Sequence, residues 1–204
     1  MAYVEFVTLE VTDLTAAGHF YANALDLDDR VRLDSSEAPT SGFRGFTMSI
    51  IVAQPANGDA LIDAALDAGA TSLKPAKKSL WGYGGAVRAP DGTVWTVASS
   101  SKKDTGPASR KIDDIVLQLG VEDVAASKRF YVDQGLEATK SYGGKYVEFS
   151  DPSSPVKLSL YKRRGLAKVA GVDPEGSGSH RLRIGSEAGP FTDPDDFAWV
   201  SSKS

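Results

Sequence analysis

One pattern is written twice along this chain. Asp13, Ala16, Phe20 and Tyr21, behind the alternating pair Leu9 and Val11, recur 110 positions later as Asp123, Ala126, Phe130 and Tyr131 behind Leu119 and Val121. A second phrase is doubled as well: Ala89-Pro90-Asp91-Gly92-Thr93-Val94-Trp95 is echoed by Asp193-Pro194-Asp195-Asp196-Phe197-Ala198-Trp199. Each half thus opens as strand then helix and closes as turn then strand, and a repeated order of this kind restricts the fold to a duplicated architecture. The 204 residues divide into two halves of about a hundred residues, each long enough to bury a core.

Local patterns fill in the elements. Val7, Leu9 and Val11 alternate with Thr8, Glu10 and Thr12, the period of a strand with one buried face. Asp13 stands at an N-cap, and Leu14, Ala17, Phe20, Tyr21 and Leu25 follow at helical spacing. Residues 28–33 and 45–54 read as strands and 35–42 as a loop; a helix is expected over 59–69 after the turn Pro55-Ala56-Asn57-Gly58, with Gly69 as its C-cap. Residues 74–85 read as a loop, and 86–88 and 93–98 as a hairpin about Pro90-Asp91-Gly92. The Ser, Lys, Gly and Pro of 99–110 have linker composition. Domains are accordingly expected at 1–99 and 111–204, joined by 100–110. In the second, 114–121, 145–150, 156–161 and 181–184 read as strands and 123–134 as a helix; the stretch before Asp193 is too short for a final helix.

Composition excludes several classes. A hydrophobic fraction of 41% and a charged fraction of 25% are those of a globular domain. The net charge of −4 offers no basic footprint, so no nucleic-acid partner is expected. With no cysteine there is neither a disulfide nor a thiolate ligand nor a cysteine nucleophile. No stretch has the apolar length of a membrane span and Met1-Ala2-Tyr3-Val4-Glu5 has no leader pattern, so the expected location is cytoplasmic, without membrane association.

Taken together, the strand 6–11, the opening Asp13-Leu14, the Phe20-Tyr21 pair, the helix end 64–70, the Trp81-Gly82-Tyr83-Gly84 segment and the Asp91-Gly92-Thr93-Val94-Trp95 turn resemble the vicinal oxygen chelate superfamily of glyoxalases, extradiol dioxygenases and bleomycin-resistance proteins. The resemblance implies an α+β fold: tandem βαβββ modules forming two cupped mixed sheets with helices outside, each half closing its own eight-stranded cup or a degenerate one. It also implies where a metal would lie, on the inward faces of first and last module strands. Those positions map to Phe6, Thr47 and Thr96 in the first half and to Val116, Ser179 and Val200 in the second. None is a usual ligand of a divalent ion, so no metal and no cofactor is expected.

The remaining candidates each admit two readings. His180 falls on the apolar phase of its strand and His19 on the surface of helix one, so both read as structural. Glu10 shares the phase of Phe6 and Thr8 and would point into the cup, as a general base or cation anchor, or else as a solvated residue at the cup's open end. Glu148 invites the same pair of readings. Trp81 and Tyr83, with Phe43 and Phe46, either stack on a flat ligand or plug the cup's mouth. Lys74, Lys77 and Lys78 receive an anion or are merely solvated, as are Lys162, Arg163 and Arg164. Trp95 and Trp199 read as packing residues. Gly82-Tyr83-Gly84-Gly85 is no phosphate loop, since a strand-like segment follows it.

Two functions follow. One is a metal-free module that binds or sequesters a small, aromatic molecule, with Phe6, Thr47, Trp81, Tyr83, Thr96 and Lys78 lining the crevice and Glu10 as its polar anchor. The other is a glyoxalase- or lyase-type enzyme on a small oxygenated substrate, with a divalent metal or Glu10 as general base. The missing ligands favour binding, because the family's chemistry depends on a Lewis acid. The fused modules are expected to pair within a monomer or in a homodimer.

Overall fold

Four successive segments, each opening with a strand, make up the molecule; the computed structural model describes residues 2–25, 27–80, 82–149 and 151–203. The first holds β1 (Phe6–Val11), α1 (Leu14–Ala24), β2 (Val31–Ser35) and the short β3 (Thr40–Gly42). The second is a full βαβββ unit: β4 (Phe46–Ile51), α2 (Pro55–Asp67), β5 (Thr71–Ser79), β6 (Gly82–Arg88) and β7 (Val94–Ser99). The third repeats it as β8 (Asp114–Val121), α3 (Val124–Asp133), β9 (Ala138–Ser141), β10 (Tyr146–Phe149) and β11 (Lys157–Lys162). Beyond α4 (Arg163–Ala170) and β12 (Gly176–Gly178), the fourth retains β13 (Leu182–Ser186), β14 (Phe191–Thr192) and β15 (Ala198–Ser201).

The expectation that each half closes its own cup is corrected by the sheet topology. An eight-stranded sheet runs β5-β6-β7-β4-β8-β11-β10-β9, joining the second and third segments across residues 100–110. The first and fourth segments form the other large sheet, β14-β15-β13-β1-β2. Burial gives the reason. Every residue of β4 from Phe46 to Ile50 is buried, so the strand needs a neighbour on both edges. β7 lies parallel on one edge and β8 antiparallel on the other, in register from Phe46 opposite Leu119 to Ile51 opposite Asp114. β1 and β13 meet antiparallel in the same way.

The doubled phrases are doubled because they touch. Asp13 caps α1 by accepting from Ala16 N at 2.9 Å, and Asp123 caps α3 by accepting from Ala125 and Ala126 N at 2.9 and 3.0 Å. One turn or two further on, Tyr21 donates to Asp91 of the closing turn at 2.9 Å and accepts from Trp95 Nε1 at 3.2 Å. In the second copy Tyr131 donates to Asp193, and its ring lies 5.2 Å from that of Trp199. Both phenols are pushed far above their ordinary range by burial and then by the adjacent carboxylate. Helix and closing turn are thereby clamped over a buried tryptophan twice.

Three stretches differ from expectation. α2 begins at Pro55 rather than Asp59, because proline at the first helical position has no amide to lose. Residues 71–79 and 82–88 are paired strands where a loop was expected over 74–85; the Lys-rich β5 is a sheet edge, where charge is ordinary, and its register shifts twice against β6. Arg163–Ala170 is a helix rather than a solvated loop. Leu166, Ala167 and Ala170 are its buried face and Gly171, at φ 78°, ends it. Residues 100–110 carry no helix or strand, yet they are pinned: Gln54 accepts from the amides of Thr105 and Gly106 and donates to the carbonyls of Gly106 and Pro107. No helix among the described residues is long and apolar enough to cross a membrane.

Candidate functional site

The strands of the eight-stranded sheet alternate between a core face and a concave face. Ile115, Leu117 and Leu119 of β8 and Leu158 and Leu160 of β11 go into the core. Their neighbours Asp114, Val116, Gln118, Lys157, Ser159 and Tyr161 line a groove of about 800 Å³, a volume within the range of small-molecule sites.

The two walls differ in chemistry. On the β7–β6 side the lining comprises Ser49, Thr96, Ala98, Gly82 and Gly84. A side chain at Gly84 would put its Cβ 2.5 Å from the carbonyl oxygen of Val97, so β6 is backbone-flat here, with Lys74, Lys77 and Ser79 of β5 along its outer rim. On the β11–β10 side stand Tyr161, Tyr146 and Glu148. The two rings meet edge to face at 4.9 Å, and Tyr146 Oη donates to Glu148 at 3.1 Å. Burial, then the neighbouring Tyr161 and Glu148, push the Tyr146 phenol up; burial, then Glu148, push Tyr161 up. Both are neutral hydroxyls at physiological pH.

A polar row crosses the floor. Thr47 Oγ1 donates to Gln118 Oε1 at 2.8 Å, and Gln118 Nε2 reaches Tyr161 Oη at 3.4 Å. Ser159 lies directly across from Gln118 on β11. Its Oγ is buried without a hydrogen-bond partner at normal geometry, although the Tyr146 phenol is near enough to feel it. The charged residues are mostly engaged. Lys157 pairs with Asp114 at 2.7 Å, Lys140 with Glu148 at 3.3 Å, and Lys74 donates to the carbonyls of Lys168 and Val169 at the end of α4.

The sequence-predicted residues divide between the two sheets. Thr47 and Thr96 belong to the concave face of the eight-stranded sheet. Tyr83 borders the groove, but its hydroxyl donates to Asp59 on α2 at 2.5 Å, which ties the phenol to the helix side. Lys77, not Lys78, borders the groove; Lys78 is exposed opposite Tyr83, beyond the register shift of β5. Trp81 lies outside the described residues. Phe6 and Glu10 are in β1, in the other sheet, and so do not share a crevice with Thr96. The Phe6 ring has the Arg32 guanidinium 3.5 Å from its centroid, and Glu10 pairs with Arg183 at 3.0 Å. Glu10 is therefore neither base nor anchor of this groove. His180 is a packing residue: its ring stacks on Phe197, and its nitrogens face the carbonyls of Arg44 and Asp195 at 2.5 and 3.0 Å.

Gln118, Ser159, Tyr161 and Tyr146 are site residues that sequence reasoning missed. The alternation of polar and apolar residues along 114–119 and 157–161 was the available signal. Symmetry of the two full units makes their placement legible: Ser49 and Gln118 each stand five residues before an N-cap, Gln54 and Asp123. Thr96 is the cross-strand partner of the first and Ser159 of the second. Three hydroxyls and one amide do not fit a divalent cation, which requires imidazole or carboxylate donors. Among the described residues no three His, Cys, Asp or Glu side chains gather at one point.

Comparison with solved structures places the architecture. Glyoxalase I from Zea mays superposes with a TM-score of 0.62 at 14% identity, covering 98% of this chain and 92% of the enzyme. A Bacillus subtilis protein provisionally assigned as a dioxygenase gives 0.56 at 11% identity, over 95% of this chain and 71% of its own. No protein-family model matches the chain, and no curated protein does. The likeness is one of fold: the tandem βαβββ architecture seen in glyoxalase I, which is the α+β fold that the sequence resemblance implied.

Proposed function

We propose that this protein binds a small, planar aromatic molecule in the groove of the eight-stranded sheet, without the help of a divalent metal. The observation that carries this reading is the groove's asymmetry. A backbone-flat wall built around Gly82 and Gly84 faces a wall bearing Tyr146 and Tyr161, and a slot of that kind suits a flat ring whose faces meet apolar surface. Hydroxyls and an amide occupy the central positions, so polar groups of the ligand meet hydrogen bonds rather than a metal-bound site. α4 lends Val169 to the groove lining, an apolar side chain at one end of the slot.

Titration calorimetry against a broad panel of aromatic metabolites, with amide chemical shifts recorded in parallel, tests the reading. At least one planar compound binds, and the perturbed amides map to β4, β8, β11 and β6. Replacing Tyr161 with Ala weakens that ligand about fivefold or more, since an aromatic contact is worth about 1 kcal/mol beyond its area. A panel in which nothing binds, or shifts confined to the five-stranded sheet, would defeat the proposal.

A further inference from the structure

What the ligand's edges must carry follows from the hydrogen-bonding capacity that the groove leaves unused. Thr47, Gln118, Ser159, Glu148 and Lys140 form one continuous row over five adjacent strands, each directly opposite the next. Thr47 occupies Gln118 Oε1, which fixes the amide so that Nε2 is its free end. An amide nitrogen has two N–H groups, and the single contact to Tyr161 is long, at 3.4 Å. Ser159 Oγ, on a residue only 1% exposed, has no partner at normal geometry, only the looser approach of the Tyr146 phenol, whose own proton goes to Glu148. Tyr161 accepts from Gln118 and keeps its own O–H to give. Three neutral donors thus converge on one side of the row. On the other side is Glu148, a carboxylate with up to four acceptor positions that receives Tyr146 and Lys140.

Charge narrows the choice further. The lysines of the floor and of α4's attachment, Lys157 and Lys74, are engaged by Asp114 and by backbone carbonyls, and Lys77, the remaining lysine of the lining, is on β5, four strands away from Gln118. The donor end of the row is therefore neutral and suits a neutral acceptor rather than an anion. Spacing sets the size. Two strand intervals separate β8 from β10, roughly 9–10 Å at the backbone, and the groove of about 800 Å³ has room above this row for a two-ring compound that reaches both ends of it.

We infer that the groove takes a planar, uncharged ring compound with a carbonyl on one edge, received by Gln118, Ser159 and Tyr161, and a hydroxyl or aromatic amine on the opposite edge, received by Glu148. This rests on the aromatic-site reading above and specifies its ligand. Four probes of one shape test it: 7-hydroxycoumarin carries both edges, coumarin only the carbonyl, 2-naphthol only the donor and naphthalene neither. Calorimetry at pH 6, where the phenols are protonated, ranks 7-hydroxycoumarin first, with coumarin and 2-naphthol each about tenfold weaker and naphthalene weaker still.

The variants separate the edges. Gln118→Leu and Ser159→Ala each reduce affinity for the two carbonyl probes several-fold and leave 2-naphthol unchanged, while Glu148→Leu does the reverse. Unaltered far-ultraviolet dichroism and thermal midpoint certify that each variant is folded, and Ser159→Ala, which removes one atom, stands in if Gln118→Leu does not fold. Equal binding of all four probes, or binding of other aromatics but none of these, overturns the edge assignment while the groove reading survives. Failure of every aromatic compound overturns both.

Discussion

The two large sheets begin from the same plan and end with different capacities. In each, two first strands meet antiparallel, β4 with β8 and β1 with β13, and each takes a parallel partner on its outer edge. The eight-stranded sheet goes on to add β6 and β5 on one wing and β10 and β9 on the other, and these wings are the walls of its groove. The five-stranded sheet stops at β2 on one side and at the two-residue β14 on the other. Without walls, its exposed face is filled by its own side chains: Arg32 lies over Phe6, and Arg183 is held by both Glu10 and Asp34. The same scaffold makes an open groove where its wings are present and a self-satisfied surface where they are lost. Charge in the second case stands in for covering strands.

The hardest test of that division removes a buried tryptophan from each sheet. Trp95 in β7 and Trp199 in β15 are both almost fully buried, so replacement of either by Ala should cost about 3–5 kcal/mol, read by chemical denaturation. The informative outcome is where the damage goes. Trp199→Ala should lower global stability but leave ligand affinity of the folded fraction intact, whereas Trp95→Ala should weaken both, because β7 carries Thr96. Loss of groove binding in both variants would show that the two sheets act as one unit and that the contrast between them is only topological.

A smaller effect distinguishes the two tyrosine clamps. Asp91 Oδ2 accepts from Thr93 Oγ1 as well as from Tyr21, at 3.1 and 2.9 Å. In the second copy Tyr131 bonds Asp193, a carboxylate whose other oxygen already serves the amides of Asp195 and Phe197 and whose own pKa is raised by desolvation. Tyr131→Phe should therefore cost about 1.5–3 kcal/mol, the range for a hydrogen bond to a charged group, and Tyr21→Phe at least as much, because it also strands the buried Trp95 Nε1. A clearly smaller cost for Tyr21→Phe would mean that Thr93 holds Asp91 without the phenol and that Trp95 Nε1 finds another acceptor.

Much of this plan is legible in the sequence, and the illegible part has physical causes. The capping aspartates, the Phe20-Tyr21 and Phe130-Tyr131 pairs and the closing tryptophans announce themselves because they act within a few residues of chain or repeat intact. Which strands pair across residues 100–110 is not local, and the pairing of β4 with β8 depends on burial along both edges. β5 was hidden by Lys74, Lys77 and Lys78, which edge strands tolerate but which read as loop, and β6 by Gly82, Gly84 and Gly85. Phe6 and Thr96 occupy equivalent places in a single-cup scheme, and only the pairing of halves separates them. The groove residues Gln118 and Ser159 are ordinary polar residues in alternating strands; nothing marks them until the strands are adjacent.

The wings themselves can be probed by pH, with the smallest expected effect. Tyr83 anchors β6 to α2 through Asp59, an attachment that the five-stranded sheet has no wing to require. Its phenol is pushed up to about 12, first by burial and then by the Asp59 hydrogen bond and charge. Because the folded state keeps the proton above the unfolded value of about 10, the stabilisation is fully present below that pH and is lost as pH rises through the folded value. Tyr83→Phe cannot titrate, so its stability should fall less steeply over this alkaline window, leaving the slope that Tyr21, Tyr131, Tyr146 and Tyr161 contribute. Hydrogen exchange under the same conditions should show amides of β5 and β6 losing protection before those of β1 and β13. Earlier loss in β1 and β13 would place the weaker attachment in the five-stranded sheet and reverse the assignment of Tyr83 as the fastening of the groove's wall.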